Sequence, residues 1–445
     1  MKKILLLSLV AFLSFSGKSM AQSVTVFDEI LFYDGYAAVV DPALYPVPDG
    51  VIRHRNDLYA KKFSDEELAS FGNTMTINVT IGAACDNYDR IGNVNLVFVP
   101  KGATTYDPNN VSRMELARFI TPFMNKNVSP TSVPYTFSVN NVARIFKDQS
   151  ILAAYDIWAE LQVFGVPYAA QTQVAGCAGQ IDVFYGTLEF TSNTDPLANN
   201  DNFLLPLSFQ HYLNNYQEGA SDAIGTTDWT INFDLPAAVN NASFYLITSN
   251  HGANSGGEEY IRRNHYIYFD DVLKLTYKPG GASCEPYRQY NTQPNGIYGP
   301  TPRPFSQWAS FSNWCPGQVI PIRQVSLGNV SAGPHSFKIS VPQAAFADEQ
   351  GYFPVSVYLQ GSSTTLGIDE VAPLQYSVSP NPTTDIVTIL SSQAVTGISV
   401  FNLLGQKILE GSDPSFNLSN ANPGIYIATI SFANGSQVTA KIVKK

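Results

Sequence analysis

The feature that most limits what this chain can fold into is a period of two. Runs such as "MTINVTI" (75–81), "NVNLVFV" (93–99), "IDVFYGTLEF" (181–190), "WTINFDL" (229–235) and "HYIYFDDVLKLTY" (265–277) alternate apolar and polar residues almost one for one. Successive strand residues point to opposite faces, so such runs lay one face on a core and leave the other outside. They are rich in β-branched and aromatic residues and separated by Gly, Pro, Asn and Asp, the composition of strands joined by turns. The chain is therefore read as all-β. Two strand-rich blocks, 22–190 and 191–365, meet at the polar joint "TSNTDPLANND" (191–201), and together exceed one ordinary sandwich. Two tandem antiparallel β-sandwiches are the economical arrangement. The small-residue stretch "GSSTTLGIDEVAP" (361–373) then leads to a third, smaller β module over 366–445. Two segments break the period. "SDEELASF" (64–71) and "SRMELARF" (112–119) read as short helices, the first with Ser64 as cap and Glu67 three residues on.

The N-terminus sets the compartment. "MKK", the apolar "ILLLSLVAFLSF" and the small-x-small "SMA" follow one another as in a signal peptide, residues 1–21, cleaved after Ala21. Export into an oxidising compartment makes the four cysteines disulfide candidates. Of three possible pairings, Cys85–Cys177 with Cys284–Cys315 keeps each bridge inside one sandwich. A formal charge of −10 and a pI near 5.0 leave no basic footprint for nucleic acid.

The usual catalytic signatures are missing. There is no G-x-S-x-G, H-E-x-x-H or phosphate-binding glycine loop with Lys-Ser/Thr, and the five histidines lack metal-ligand spacing. Carboxylates beside aromatics remain. "CDNYDR" (85–90) places Asp86, Asp89 and Arg90 ahead of a strand, and "AAYDIW" (153–158) sets Asp156 and Trp158 on one strand face. "SNHGANSGGEEYIRRNHYIYFDD" (249–271) gathers Glu258, Glu259, Arg262 and Arg263 in a chain with 14% charged residues.

With "MELARFITPF" and "NWCPGQVIPIRQVSL", these segments resemble the peptide-N-glycosidase F family, over about residues 24–365. The resemblance implies two eight-stranded antiparallel jelly rolls side by side, with the active site between them. The activity it implies is hydrolysis of the amide joining asparagine to the first N-acetylglucosamine of an N-glycan. Aspartate stays on the polypeptide and the glycan leaves as a glycosylamine. Carried over residue by residue, Asp89 is the principal catalytic acid, Glu259 its partner from the second jelly roll, and Asp156 a third acid. Arg90 orients Asp89 and the carbonyl, while Tyr88, Trp158 and Trp314 line the sugar pocket. The glycine loop lets the backbone approach the sugar, and Glu258 faces away, free to vary. No metal or organic cofactor is required. The expected substrates are N-glycosylated proteins or glycopeptides, acted on by a monomer.

Departures from the family pattern accompany the likeness. Asp156 stands where the family has a glutamate, and Tyr88 where it has tryptophan. Phe311 and Ser312 occupy the region of a family arginine, and Glu258 and Ile261 replace cysteines. They keep open a second reading, a glycan-binding relative with weak or no catalysis. The last module resembles the C-terminal sorting domain of type IX secretion cargo. It matches in Ser379-Pro-Asn-Pro382, "FNLLGQ", "PGIYIATI" and Lys444-Lys445. Partnership with that machinery and a secreted or outer-surface location follow.

Overall fold

The computed structural model describes residues 22–195, 202–217, 221–294, 296–363, 376–391, 393–433 and 437–445. The expected signal peptide and most of the 361–373 linker lie outside them. Period-two runs become nine strands in the first block: β1 (Gln22–Tyr33), β2 (Val51–Arg55), β3 (Leu58–Lys62), β4 (Thr74–Ala83), β5 (Ile91–Pro100), β6 (Ser112–Ile120), β7 (Ser132–Ser138), β8 (Tyr155–Val163) and β9 (Asp182–Asn193). Nine more follow: β10 (Phe203–Leu213), β11 (Asp228–Leu235), β12 (Val239–Thr248), β13 (His265–Phe269), β14 (Val272–Tyr277), β15 (Val319–Ile320), β16 (Arg323–Val330), β17 (Gly333–Ser340) and β18 (Phe353–Ser363).

In the first sandwich, sheet β1–β9–β4–β7 faces sheet β15–β6–β5–β8–β3–β2, all antiparallel. Ile77, Val79 and Ile81 of β4 and Val94, Leu96 and Phe98 of β5 point into one core between the sheets. In the second, sheet β10–β18–β12–β16 covers β14–β13–β17–β11 around Phe233, Phe244, Leu246, Phe337 and Val357. The chain has the jelly-roll β-sandwich fold. Strand β15 belongs in sequence to the second block yet pairs with β6 of the first, Val319 opposite Phe119, and so stitches the sandwiches together.

The Ser64 helix forms as expected over Asp65–Ser70, with its full capping box. "SRMELARF" does not: it is β6. Met114 to Ile120 are buried without interruption, with β5 on one side and β15 on the other. Neighbouring strands outweigh a propensity of tenths of a kcal/mol per residue. Both disulfides close as expected, Cys85–Cys177 and Cys284–Cys315.

The C-terminal module has its own core, including Val387, Ile398, Tyr426 and Ile442. Strands β19 (Tyr376–Ser379), β20 (Ile386–Ser391), β21 (Val395–Asn402), β22 (Lys407–Gly411), β23 (Ser415–Asn417), β24 (Gly424–Phe432) and β25 (Gln437–Lys444) build it. One of its sheets is β22–β21–β24–β25. The other, β19–β20–β23, continues the second jelly roll, because β19 pairs with β11 at Asn232 and Tyr376.

Candidate active site

Asp89 sits in a tight turn where β5 begins. Upstream, Cys85 is tied to Cys177, and the fully buried Asp86 collects the turn around itself. Its carboxylate accepts the Tyr88 amide at 2.9 Å, the Val166 amide at 2.7 Å and Arg90 Nε at 2.7 Å. Arg90 therefore does not orient Asp89 by direct contact. Its guanidinium is held by Asp86 and reaches Asp89 only as a nearby positive charge. Tyr88, 40% exposed, stands beside Phe123 with ring centroids 5.4 Å apart.

Glu259 comes from the loop after β12. The Glu259 amide donates to Gly252 O and the Gly257 amide to Asn254 O. A Cβ on Gly257 would lie 2.0 Å from Gly252 O, so this glycine serves the loop's own closure rather than an approach to sugar. From the other side, Asn313 Nδ2 donates to the carbonyls of Glu258 (2.8 Å), Glu259 (2.7 Å) and Ile261 (3.2 Å). Cys315, two residues on, is bonded to Cys284. Three of the four clustered charges are structural. Arg262 donates to Pro279 O and Ala309 O, and Arg263 pairs with Glu258 at 2.9 Å. Glu258 points away from Glu259, as expected, but it is not free to vary: it is fully buried and also accepts the Ala345 amide. Glu259, also buried, makes no salt bridge among the described residues.

The two carboxyls feel each other. Burial pushes Asp89 up to about 7, with Arg90 opposing. Burial, then the charge of Asp89, pushes Glu259 up to about 8. Asp89 loses its proton first, while Glu259 is still neutral, and Glu259 must then ionise against a negative neighbour. Two environments thus bring both acids to titrate near neutrality. Two tyrosines join them that sequence reasoning missed. Tyr260 hydrogen-bonds Glu259, and its hydroxyl is raised by burial, then by Glu259 and Asp89. Tyr298 is raised by burial and then by carboxylates that include Asp89. Tyr260 was legible as the neighbour of Glu259. Tyr298 arrives on a Pro/Gly-rich disulfide loop that carries no periodic signal.

Three expected residues are not brought here. Gly92 pairs with Val163 but Val99 with Asp156, so Asp156 lies seven rungs along β5, about 23 Å from the Asp89 end. It is clamped between Lys62 and Lys101, 3.0 Å from each. Burial would raise its pKa, but the lysines and the Gly102 amide hold it below the usual range. Trp158, on the same face, packs with Ala60, Val97 and Val99 beneath Tyr106. Trp314 is buried under the junction: its indole N–H donates to Asn250 O, and its ring packs on Ile120, Ile247 and Ile320.

Residues 23–179 match the family description "Peptide-N-glycosidase F, N terminal" and residues 220–360 "Peptide-N-glycosidase F, C terminal". The chain belongs to the peptide-N-glycosidase F family. Residues 377–445 match the secretion system C-terminal sorting domain, which directs the protein to secretion or the cell surface. Solved peptide-N-glycosidase F relatives share the fold. PNGF-II is 20% identical with a TM-score of 0.57, over 78% of this chain and 66% of that one. A recombinant PNGase F is 14% identical with a TM-score of 0.51, over 78% and 96%. A peptide-N(4)-(N-acetyl-beta-D-glucosaminyl) asparagine amidase is 15% identical with a TM-score of 0.50, over 80% and 99%. This chain thus spans just under two thirds of PNGF-II. No curated protein matches it in sequence.

Proposed function

We propose that this peptide-N-glycosidase F relative hydrolyses the amide between asparagine and the first N-acetylglucosamine of N-linked glycans. The observation that carries the reading is the Asp89–Glu259 pair: a half-buried and a buried carboxyl, one from each jelly roll, raised to about 7 and about 8. At neutral pH Glu259 keeps its proton while Asp89 is substantially ionised. Asp89 acts as general base on a water aimed at the amide carbonyl, and Glu259–H polarises the carbonyl or protonates the departing nitrogen. The water oxygen ends in the new aspartate, and the glycan leaves as a glycosylamine. The substrate is a glycoprotein or glycopeptide met outside the cell, reached through the residue 1–21 signal peptide and the type IX route. Incubating the protein with a glycopeptide in heavy-oxygen water tests this. One heavy oxygen in the new aspartate, with the glycan intact, is expected. Cleavage within the glycan, or no release, rejects the amidase.

A second reading, glycan binding without appreciable turnover, is favoured by one observation. The two acids of β8, Asp156 and Glu160, lie opposite Val99 and Asn95 and do not reach the Asp89 end. Retention on immobilised glycopeptide without any release distinguishes it.

A further inference from the structure

We propose that strand β6 sets the separation of Asp89 and Glu259, with Thr121 and Arg118 as positioning residues at its two grips. The inference rests on the amidase reading of that pair. Thr121, the residue after β6, is fully buried. Its hydroxyl accepts the Arg90 amide at 2.7 Å and donates to Tyr88 O at 3.1 Å, and its own amide donates to Arg90 O at 2.8 Å. Those three bonds grip the residues on either side of Asp89. A valine fills the same space but offers neither hydroxyl bond.

Three residues back, Arg118 is fully buried and crosses into the other jelly roll. Its Nε and Nη2 hold Glu115, each at 2.7 Å, while Nη1 donates to Pro354 O at 2.8 Å and Ser249 Oγ at 2.9 Å. Glu115 also accepts the Ser356 hydroxyl. Ser249 Oγ, which accepts from Arg118, is also hydrogen-bonded to His251 Nε2, 2.7 Å away. Burial, then the Arg118 charge, lowers His251 to about 3, so its ring is neutral at working pH. One residue further, Gly252 O takes the Glu259 amide. Each catalytic candidate is thus referenced to one rigid strand, and a shift of about 1 Å between such groups can cost 100-fold in rate.

The charged and titratable groups facing the pair are Asp86 and Arg90 on the Asp89 turn, Tyr260 beside Glu259, and Tyr298 on the disulfide loop. None of them changes in the test variants. The test is Thr121→Val, Thr121→Ser and Ser249→Ala in the full chain, measured as kcat and KM for glycopeptide release against pH. In parallel, the Asp89 and Glu259 carboxyls are titrated by 13C NMR. Thr121→Val is expected to lower kcat about 10–100-fold with KM within about threefold, and to move the Glu259 titration to lower pH as Asp89 drifts away. Thr121→Ser restores most of kcat. Ser249→Ala lowers kcat from the other grip, and decides the matter should Thr121→Val not fold. If Thr121→Val and Ser249→Ala keep kcat within twofold, or lose it with both carboxyl titrations unmoved, the inference falls. If the wild type releases no glycan, the amidase reading falls instead, and the carboxyl titrations alone decide whether β6 spaces the pair.

Discussion

Asp89 and Glu259 hold their protons more tightly in the folded chain than in the unfolded one, where carboxyls ionise near ~4. The sign follows. The folded state is favoured at low pH, and stability is lost as pH rises from ~4 through about 7 and about 8. Neutral isosteres remove that cost. Asp89→Asn and Glu259→Gln are expected to lose glycan release, Asp89→Asn by about 10²–10⁴ in rate, yet to melt several degrees higher at pH 9 and unchanged at pH 4. Because release needs ionised Asp89 beside protonated Glu259, wild-type activity rises through about pH 7 and falls through about pH 8. Glu258→Gln moves the other way: it leaves Arg263 without its carboxylate partner, costing on the order of 2 kcal/mol. Thermal melts and a pH–rate profile check these together. Isosteres that melt lower at pH 9, or activity flat to pH 10, contradict the assignment.

At the scale of elements, period two placed the strands because sheets with one covered face print their burial on the sequence. β4 is the clear case, alternating Met75, Ile77, Val79 and Ile81 inward. The same rule fails in one strand with both faces covered. β6 shows uninterrupted burial and was read as a helix, although its residues hold the site together. Asp89 and Glu259 are carried over from the family resemblance, and the charge of Asp89 is felt at Glu259 in the folded chain. Asp156, Trp158 and Trp314 lie apart from that pair, because a motif fixes neither register along a strand nor which side chain turns into a junction. The Glu259 loop gives an element-scale prediction. Gly257→Ala puts a methyl against Gly252 O, whose carbonyl holds the Glu259 amide. Activity should fall at least tenfold with circular dichroism unchanged, and an active Gly257→Ala protein would mean the loop can open without moving Glu259.

For the whole molecule, the three cores do not join equally. The two jelly rolls share β15 and the buried Arg118 network, so neither is expected to stand alone. The sorting module is different: all fifteen of its core residues lie between Tyr376 and Ile442. Among the described residues its attachment includes the strand pair at Asn232 and two further bonds, Ser379 Oγ to Ser221 O and the Asn381 amide to Asp222 O. A chain ending at Ser363 should therefore stay folded and release glycan at the full-length rate, since Asp89, Glu259 and every residue gripping them lie before that point. It should not be unchanged in other respects. Without β19 the hydrogen-bonding edge of β11 is bare, and an uncovered edge is a template for another chain. The truncated protein should melt a few degrees lower and associate with rising concentration, while the full chain remains a monomer. Light scattering and melting curves on the two forms decide it. Equal melting and a monomer at every concentration would show that β19 adds nothing to β11, and loss of glycan release would place part of the active site in the sorting module.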